Sequence, residues 1–222
     1  MKSKFNLALI FSAVVLFSAQ AQAALIYFND FEGTVGSEWS TTTTSYDNDT
    51  TTFLGRFGNQ TATLSLAGIG AHSTVTVSFD LILWDSWDGD NTRWGRDFQG
   101  LNADNARIYE YTFSSPGFSV SSTNPDSSPD LTGYFGGNPG WQDALYKNFN
   151  DGFSFDHVSS TLTLDFYGRH LQSLWDESWG IDNVKVYTDN DPSPVPEPTT
   201  LLLFGAGLVG LAGMAGKMKK KR

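Results

Sequence analysis

The sequence contains no cysteine and only three histidines among its 222 residues. Without cysteine, the chain can form no disulfide bond and cannot use thiol catalysis in any compartment. It contains no H-E-x-x-H or G-x-S-x-G motif, and the histidines at positions 72, 157 and 170 lack metal-ligand spacing. We therefore predict no catalytic activity. The enzymatic alternative is a polysaccharide hydrolase that uses two carboxylates in one cleft.

Basic residues are scarce between the two ends of the chain. Residues 24–198 contain all 24 acidic residues but seven of the 14 basic ones, which gives this segment a formal charge of −17. Binding to nucleic acid needs a basic face, so nucleic acid is not a predicted partner. Such acidity favours solubility outside the cell or the binding of hard cations through carboxylates.

Long apolar runs occur near both ends. Residues 1–23 carry two early lysines, an apolar run and the small-x-small site AQA, so they are predicted to be a secretory signal peptide. A retained N-terminal anchor helix is the alternative.

Residues 199–216 contain no charged residue, and as a helix they would span roughly 27 Å, close to the thickness of a bilayer core. They are predicted to form a transmembrane helix with the basic residues 217–222 on the cytoplasmic side.

The C-terminal end combines three features in order, namely VPEP, the apolar glycine-rich span and the basic KMKKKR. This arrangement resembles the PEP-CTERM sorting signal of exported Gram-negative proteins. The resemblance implies that an exosortase recognises Pro196, Glu197 and Pro198 and cleaves near them. The protein would then pass from the inner membrane to the cell surface or the exopolysaccharide matrix. Alternate prolines predict that the linker, residues 191–198, is extended and accessible to a processing enzyme.

Residues 24–190 are predicted to form one all-β domain, a β-sandwich of the jelly-roll type. Five segments alternate apolar and polar positions, as strands with one buried face do. These segments are residues 62–68, 73–84, 107–113, 159–168 and 180–188. Stretches rich in Gly, Pro, Asn and Asp separate them, and no long amphipathic helix is predicted.

Three segments of this domain, FNDFEGTVGSEWS, FLGRFGNQTATLSLAGIGAHSTVTVSFDLILWDSWDGD and HLQSLWDESWGIDNVKVY, carry a second resemblance. They resemble a jelly-roll module of secreted bacterial proteins, within the class of lectin-like and carbohydrate-binding sandwiches. In that class the terminal strands lie close together and often hold a structural Ca²⁺. The resemblance implies Glu32 and Asp182 as Ca²⁺ ligands, with Asp30 as a weaker candidate. The residues themselves equally predict that Asp182 and Asn183 bond the neighbouring backbone at the start of a strand.

The most acidic window, residues 84–97, contains Asp85, Asp88, Asp90 and Asp97. The sequence Asp88-Gly89-Asp90 is similar to a Ca²⁺ loop, but no glutamate follows at the twelfth position that an EF-hand requires. A solvated acidic turn is the favoured interpretation, because Asp-Gly stretches are usually turns. Ca²⁺ binding and direct contact with a ligand are the alternatives.

Seven tryptophans are present, and flat aromatic rings pack well on sugar rings. Trp84 ends an apolar strand and is predicted to lie in the core. Trp87, Trp94 and Trp141 lie in Gly- and Asp-rich segments and are the candidates for exposed rings that bind a glycan. A place in the core is the alternative, because tryptophan also suits the core of a sandwich. The leading functional prediction is a structural or adhesive module at the cell surface or in the extracellular matrix. The alternative is a carbohydrate-binding module for exopolysaccharide.

Overall fold

The computed structural model describes residues 23–46, 51–117, 120–126 and 128–189, which build two antiparallel β-sheets. The strands are β1 Ala23–Asn29, β2 Thr44–Tyr46, β3 Thr52–Phe57, β4 Thr61–Ala67, β5 Thr74–Asp85, β6 Phe98–Ala103, β7 Ala106–Thr112, β8 Leu131–Gly133, β9 Asp143–Tyr146, β10 Phe153–Asp156, β11 Thr161–Arg169 and β12 Glu177–Asp189. One 3₁₀ turn, Phe149–Asp151, precedes β10. The described residues contain no α-helix.

The larger sheet has the strand order β2-β3-β12-β5-β9-β8, and the smaller sheet has the order β4-β11-β6-β7. In the larger sheet β1 also pairs with β12, and β10 also pairs with β5. The strand pairs are antiparallel. The predicted all-β sandwich is confirmed. The first and last strands lie side by side, as the resemblance to lectin-like sandwiches implied.

The core lies between the two sheets. Strand β5 contributes every second residue of its first half to this core. Val75, Val77 and Phe79 are at most 1% exposed, whereas the residues between them are half-buried. The Phe79 ring meets Phe166 of β11 edge to face, with 5.1 Å between ring centroids. Burying a side chain of this size contributes about 1.5–3 kcal/mol to the stability of the fold. The contact between Phe79 and Phe166 therefore helps to hold the two sheets together.

At the C-terminal end of β5 the outer face of the larger sheet is covered as well. Trp84 is 1% exposed and stacks on Phe53 of β3, with 4.5 Å between ring centroids. The Arg56 guanidinium lies 5.3 Å from the centre of the Trp84 ring. Trp84 is therefore a buried residue, as its position in the sequence predicts.

Trp179 of β12 connects this end of the core to the turn between β3 and β4. Its indole Nε1–H donates to the Gly58 carbonyl at 2.8 Å. A Cβ atom on Gly168 of β11 would lie 2.5 Å from that nitrogen and 2.6 Å from the same carbonyl oxygen. Glycine at 168 thus permits the close approach that places the 58–60 turn beside β11 and β12.

The predicted signal peptide and the predicted transmembrane helix lie outside the described residues. Residues 1–22 of the predicted signal peptide, and the predicted linker from residue 191, transmembrane helix and basic tail, are not among the described residues. Strand β1 begins at Ala23, the last residue of the predicted signal peptide. No helix within the described ranges has the length and apolar character needed to cross a membrane.

Candidate functional site

Two loops at one end of the sandwich line an open cleft of about 360 Å³. One is the turn at residues 58–60 between β3 and β4, and the other is the loop at residues 170–176 between β11 and β12. The lining residues are Gly58, Asn59, Gln60, Gln172, Ser173 and Leu174. Four of these side chains carry an amide or hydroxyl group, so the cleft presents polar groups that can both donate and accept hydrogen bonds.

Hydrogen bonds hold the cleft loops to each other and to a third segment. The Asn59 side chain donates to the Leu171 carbonyl at 2.6 Å and accepts from the Leu171 backbone nitrogen at 2.9 Å. The Gln172 side chain donates to the Trp94 carbonyl at 2.9 Å. Segment 86–97, between β5 and β6, is therefore fastened to the edge of the cleft.

Two exposed tryptophans adjoin residues that line the cleft, one through a hydrogen bond and one through the chain. Trp94 is 59% exposed, and its backbone is bonded to the lining residue Gln172. Trp175 is 81% exposed and directly follows the lining residue Leu174. The Arg93 guanidinium lies 4.7 Å from the centre of the Trp94 ring. The exposed position predicted for Trp94 is confirmed, and the structure adds Trp175, which the sequence analysis did not single out.

Trp87 is not exposed, and the prediction that its ring faces a ligand is wrong. It is 1% exposed and belongs to the main core. Its indole nitrogen donates to the Ser178 carbonyl at 3.2 Å, and its ring meets Phe113 edge to face at 5.9 Å. The Gly- and Asp-rich neighbours indicated a loop correctly, but this loop turns inward and buries the ring.

Trp141 lies in the segment between β8 and β9 and is half-buried. Its backbone nitrogen donates to the Asn138 carbonyl at 3.1 Å, within a turn. It does not belong to the residues that line the cleft. Glycan binding by Trp141 stays a prediction.

The structure brings Glu32 and Asp182 together at one hydroxyl group. Thr51 Oγ1 lies 2.9 Å from Glu32 Oε1 and 2.9 Å from Asp182 Oδ2. A threonine hydroxyl has one hydrogen, so it can donate to only one of these carboxylates at a time. Asp30 Oδ1 accepts from the Glu32 backbone nitrogen at 3.3 Å, which is a local turn contact. Glu32 and Asp182 thus offer converging carboxylate oxygens of the kind Ca²⁺ prefers, and Ca²⁺ at this position stays a prediction.

Asp182 also makes the backbone contact that its position predicts. Its Oδ1 accepts from the Asn183 backbone nitrogen at 2.7 Å. The pKa of Asp182 is raised to about 6, chiefly by burial, and the charges of Asp80 and Glu32 act in the same direction. The pKa of Asp182 is higher in the folded protein than its ordinary value of 3.8. Ionisation of Asp182 therefore lowers the stability of the fold as the pH rises from about 3.8 to about 6.

The acidic window is not the solvated turn that its composition favours. Asp85, Asp88 and Asp97 are 1%, 8% and 0% exposed. Asp90 Oδ1 accepts from the Thr112 hydroxyl at 2.9 Å, and Ca²⁺ binding by Asp88 and Asp90 together stays a prediction. Asp88 and Asp97 meet Glu177 at the start of β12, a residue outside the window.

The structure also joins two histidines that are far apart in the sequence. His72 Nε2 lies 2.6 Å from His157 Nδ1, and the two rings are stacked. His72 Nδ1 lies 2.7 Å from the Gly70 carbonyl oxygen, and His157 Nε2 lies 3.1 Å from Asp104 Oδ2. Backbone and carboxylate oxygens thus orient both rings, away from the cleft.

Comparison with known proteins identifies the C-terminal motif. Residues 194–219 match the family model described as the PEP-CTERM protein-sorting motif. This match covers the predicted sorting residues Pro196, Glu197 and Pro198, which lie outside the described residues. A search of curated proteins found no match.

Among solved structures, the chain is similar to dimeric latent PorU from Porphyromonas gingivalis, with 16% identity and a TM-score of 0.39 over 61% of this chain and 10% of that one. It is also similar to the C-terminal domain of the sugar-binding protein EclA, with 11% identity and a TM-score of 0.30 over 78% and 82% of the two chains. A third similar structure is a cycloisomaltooligosaccharide glucanotransferase from Paenibacillus sp., with 11% identity and a TM-score of 0.28 over 76% of this chain and 17% of that one. At these TM-scores the likenesses support no functional conclusion.

Proposed function

We propose that this chain, which carries a PEP-CTERM protein-sorting motif at residues 194–219, is an exported protein that an exosortase delivers to the cell surface or extracellular matrix. The observation that carries the proposal is the motif itself. In this proposal residues 199–216 hold the chain in the inner membrane of a Gram-negative bacterium until cleavage near Pro196-Glu197-Pro198. The β-sandwich then remains outside the cell as a structural or adhesive module without catalytic activity.

Replacing Pro196, Glu197 and Pro198 with alanine tests the sorting step. In a host that has an exosortase, the wild-type chain should appear as a shortened form at the surface or in the matrix. The variant should keep its tail and stay in the membrane fraction, because the recognition segment is lost. The measurement is immunoblotting of membrane and matrix fractions. A Pro192→Ala chain is the control and should be sorted normally, and equal processing of the triple variant would contradict the proposal.

The cleft supports carbohydrate binding as a second candidate function. Trp94 and Trp175 are exposed, and the cleft has polar walls. The Trp94 carbonyl is bonded to the lining residue Gln172, and Trp175 follows the lining residue Leu174. Gln60, Gln172 and Ser173 line the cleft, so side-chain amide and hydroxyl groups lie where sugar hydroxyl groups can bind. Sugar C–H groups pack on flat rings while hydroxyl groups reach nearby polar atoms, which is the combination found at this cleft. The formal charge of −17 over residues 24–198 favours neutral over anionic polysaccharides.

Alanine at Trp94 or Trp175 should weaken binding to a neutral polysaccharide by about tenfold each, since one aromatic contact of about 1.4 kcal/mol is lost. Both rings are exposed, so the fold should remain intact. Affinity electrophoresis against a panel of neutral glucans, galactans and mannans measures the effect. Tyr46→Ala removes an exposed ring from β2, away from the cleft, and should bind like wild type. Unchanged binding of both tryptophan variants would rule out the cleft, and release of reducing sugar from the same polysaccharides would favour the hydrolase alternative.

A further inference from the structure

Three buried carboxyl groups converge beneath the cleft loops. Asp88 follows β5, Asp97 precedes β6, and Glu177 begins β12. Each offers one oxygen, and these three oxygens lie within 4.8 Å of one another. The three side chains are the one group of this kind in the described ranges of the chain. Ca²⁺–oxygen distances are about 2.3–2.6 Å, so ligands on opposite sides of one ion lie roughly 4.6–5.2 Å apart, and the observed spacing fits a single ion.

One carboxylate oxygen of Asp97 has no hydrogen-bond partner among the described residues. Asp97 is 0% exposed, and its Oδ2 accepts from the Asp88 backbone nitrogen. Its Oδ1 is buried and has no hydrogen-bond partner among the described residues. A buried carboxylate oxygen without a partner costs free energy, and proteins normally satisfy such an oxygen with a donor, a water molecule or an ion.

Like charges lie close together in this group. Asp88, Asp97 and Glu177 are each at most 8% exposed, and their oxygens lie within 4.8 Å of one another. Carboxyl groups this close and this buried can remain together only if a proton or a cation lies between them.

The burial of this group argues against catalysis and for a bound ion. At 8% exposure or less, none of the three carboxyl groups is accessible to a polysaccharide. Three hard oxygen ligands, two from segment 86–97 and one from the start of β12, suit Ca²⁺. Ca²⁺ accepts six to eight oxygens in flexible geometry and completes its shell with backbone carbonyls or water. Glu177 Oε2 also accepts from the Gln172 backbone nitrogen at 2.7 Å, so the group touches the loop that lines the cleft.

We propose that Asp88, Asp97 and Glu177 bind one Ca²⁺ ion, which fastens segment 86–97 to the start of β12. The ion supplies the missing partner of Asp97 Oδ1 and neutralises part of the buried negative charge. It differs in position and in ligands from the Ca²⁺ predicted at Glu32 and Asp182. Binding here does not require that the neighbouring tryptophan rings recognise a glycan.

Thermal unfolding of the full chain in detergent, with excess Ca²⁺ or with a chelator, tests this site. With Ca²⁺ at about 100 times the Kd, we expect the midpoint of the wild-type chain to rise by about 5–10 °C. Asp97→Asn and Glu177→Gln keep the shape of the side chains and remove one ligand charge each, so both variants should lose most of this rise. Asp182→Asn should keep it, because its carboxyl group belongs to the other position.

Terbium luminescence provides a direct measurement of occupancy. Tb³⁺ substitutes for Ca²⁺, and the adjacent buried Trp87 should sensitise its emission in the wild-type chain and in Asp182→Asn. Asp97→Asn should lose the sensitised emission. Two results would overturn the proposal. The first is no Ca²⁺-dependent rise in the wild-type midpoint, which would mean that the carboxyl groups share a proton. The second is a rise that survives in Asp97→Asn and Glu177→Gln but disappears in Asp182→Asn.

Discussion

Replacing Trp87 with alanine should lower the free energy of unfolding by about 3–5 kcal/mol, the range for deleting a large aromatic side chain from a packed core. Trp87 is 1% exposed and packs against Phe113. The substitution also removes the donor to the Ser178 carbonyl, which is buried with it. An unsatisfied buried acceptor adds about 1–3 kcal/mol to the cost, so the upper part of the range is expected.

Denaturant unfolding followed by far-UV circular dichroism measures this loss without depending on tryptophan fluorescence. Trp94→Ala is the matched control, because its ring is 59% exposed and its removal should change stability by no more than about 0.5 kcal/mol. The same two variants thus separate a core tryptophan from a surface tryptophan. A Trp87→Ala protein that kept its stability and lost glycan binding would restore the role predicted from the sequence.

Replacing Arg56 with methionine should lower the free energy of unfolding by about 3–5 kcal/mol, because it leaves a buried charge without its partner. The Arg56 guanidinium donates to Asp85 Oδ2, and the Asp85 side chain is 1% exposed. Methionine retains most of the apolar stem that packs near Trp84. The loss of stability therefore measures the removal of the charge and its hydrogen bonds, and not the opening of a cavity.

Arg56 also joins loops that are distant in the sequence. It donates to Ser178 Oγ at 2.8 Å, to the Gly136 carbonyl at 3.4 Å and to the Leu174 carbonyl at 3.2 Å. Methionine would leave these acceptors without their donor, so we expect the 136 and 174 loops to loosen together. Hydrogen exchange of these two loops should therefore increase in the variant.

Arg107→Met is the control for Arg56→Met. The Arg107 side chain is 63% exposed and pairs with Glu110 at 3.2 Å, so its loss should cost about 0.5 kcal/mol or less. Adding Asp85→Asn to Arg56→Met should recover part of the lost stability, because the unpaired buried charge disappears. A loss below about 1 kcal/mol in the single variant would mean that water reaches Asp85 and replaces the guanidinium.

The sequence predicted the strands that alternate most regularly. The segments predicted at 62–68, 73–84, 107–113, 159–168 and 180–188 correspond to β4, β5, β7, β11 and β12. Strands such as β2, β8, β9 and β10 contain only three or four residues, which is too short for a period-two pattern to stand out. Their existence depends on pairing with longer strands rather than on their own composition.

The candidate sites were only partly predictable. Glu32 and Asp182 were placed together through the resemblance to lectin-like sandwiches, and β1 pairs with β12 in the structure. Asp97 and Glu177 meet across a large separation in the sequence, and no local pattern connects them. Trp87 and Trp94 stand in the same kind of polar segment, yet one is buried and the other is exposed.

The sequence alone was enough to establish the C-terminal sorting motif and the all-β class. Both are properties of consecutive residues, since a sorting motif is a linear segment and strand alternation repeats every two positions. The tertiary structure was needed to identify which tryptophans form the core, which lie beside the cleft, and which acidic residues share a site. Those outcomes depend on how loops from β3, β5, β11 and β12 pack at one end of the sandwich, where contacts join residues far apart in the chain.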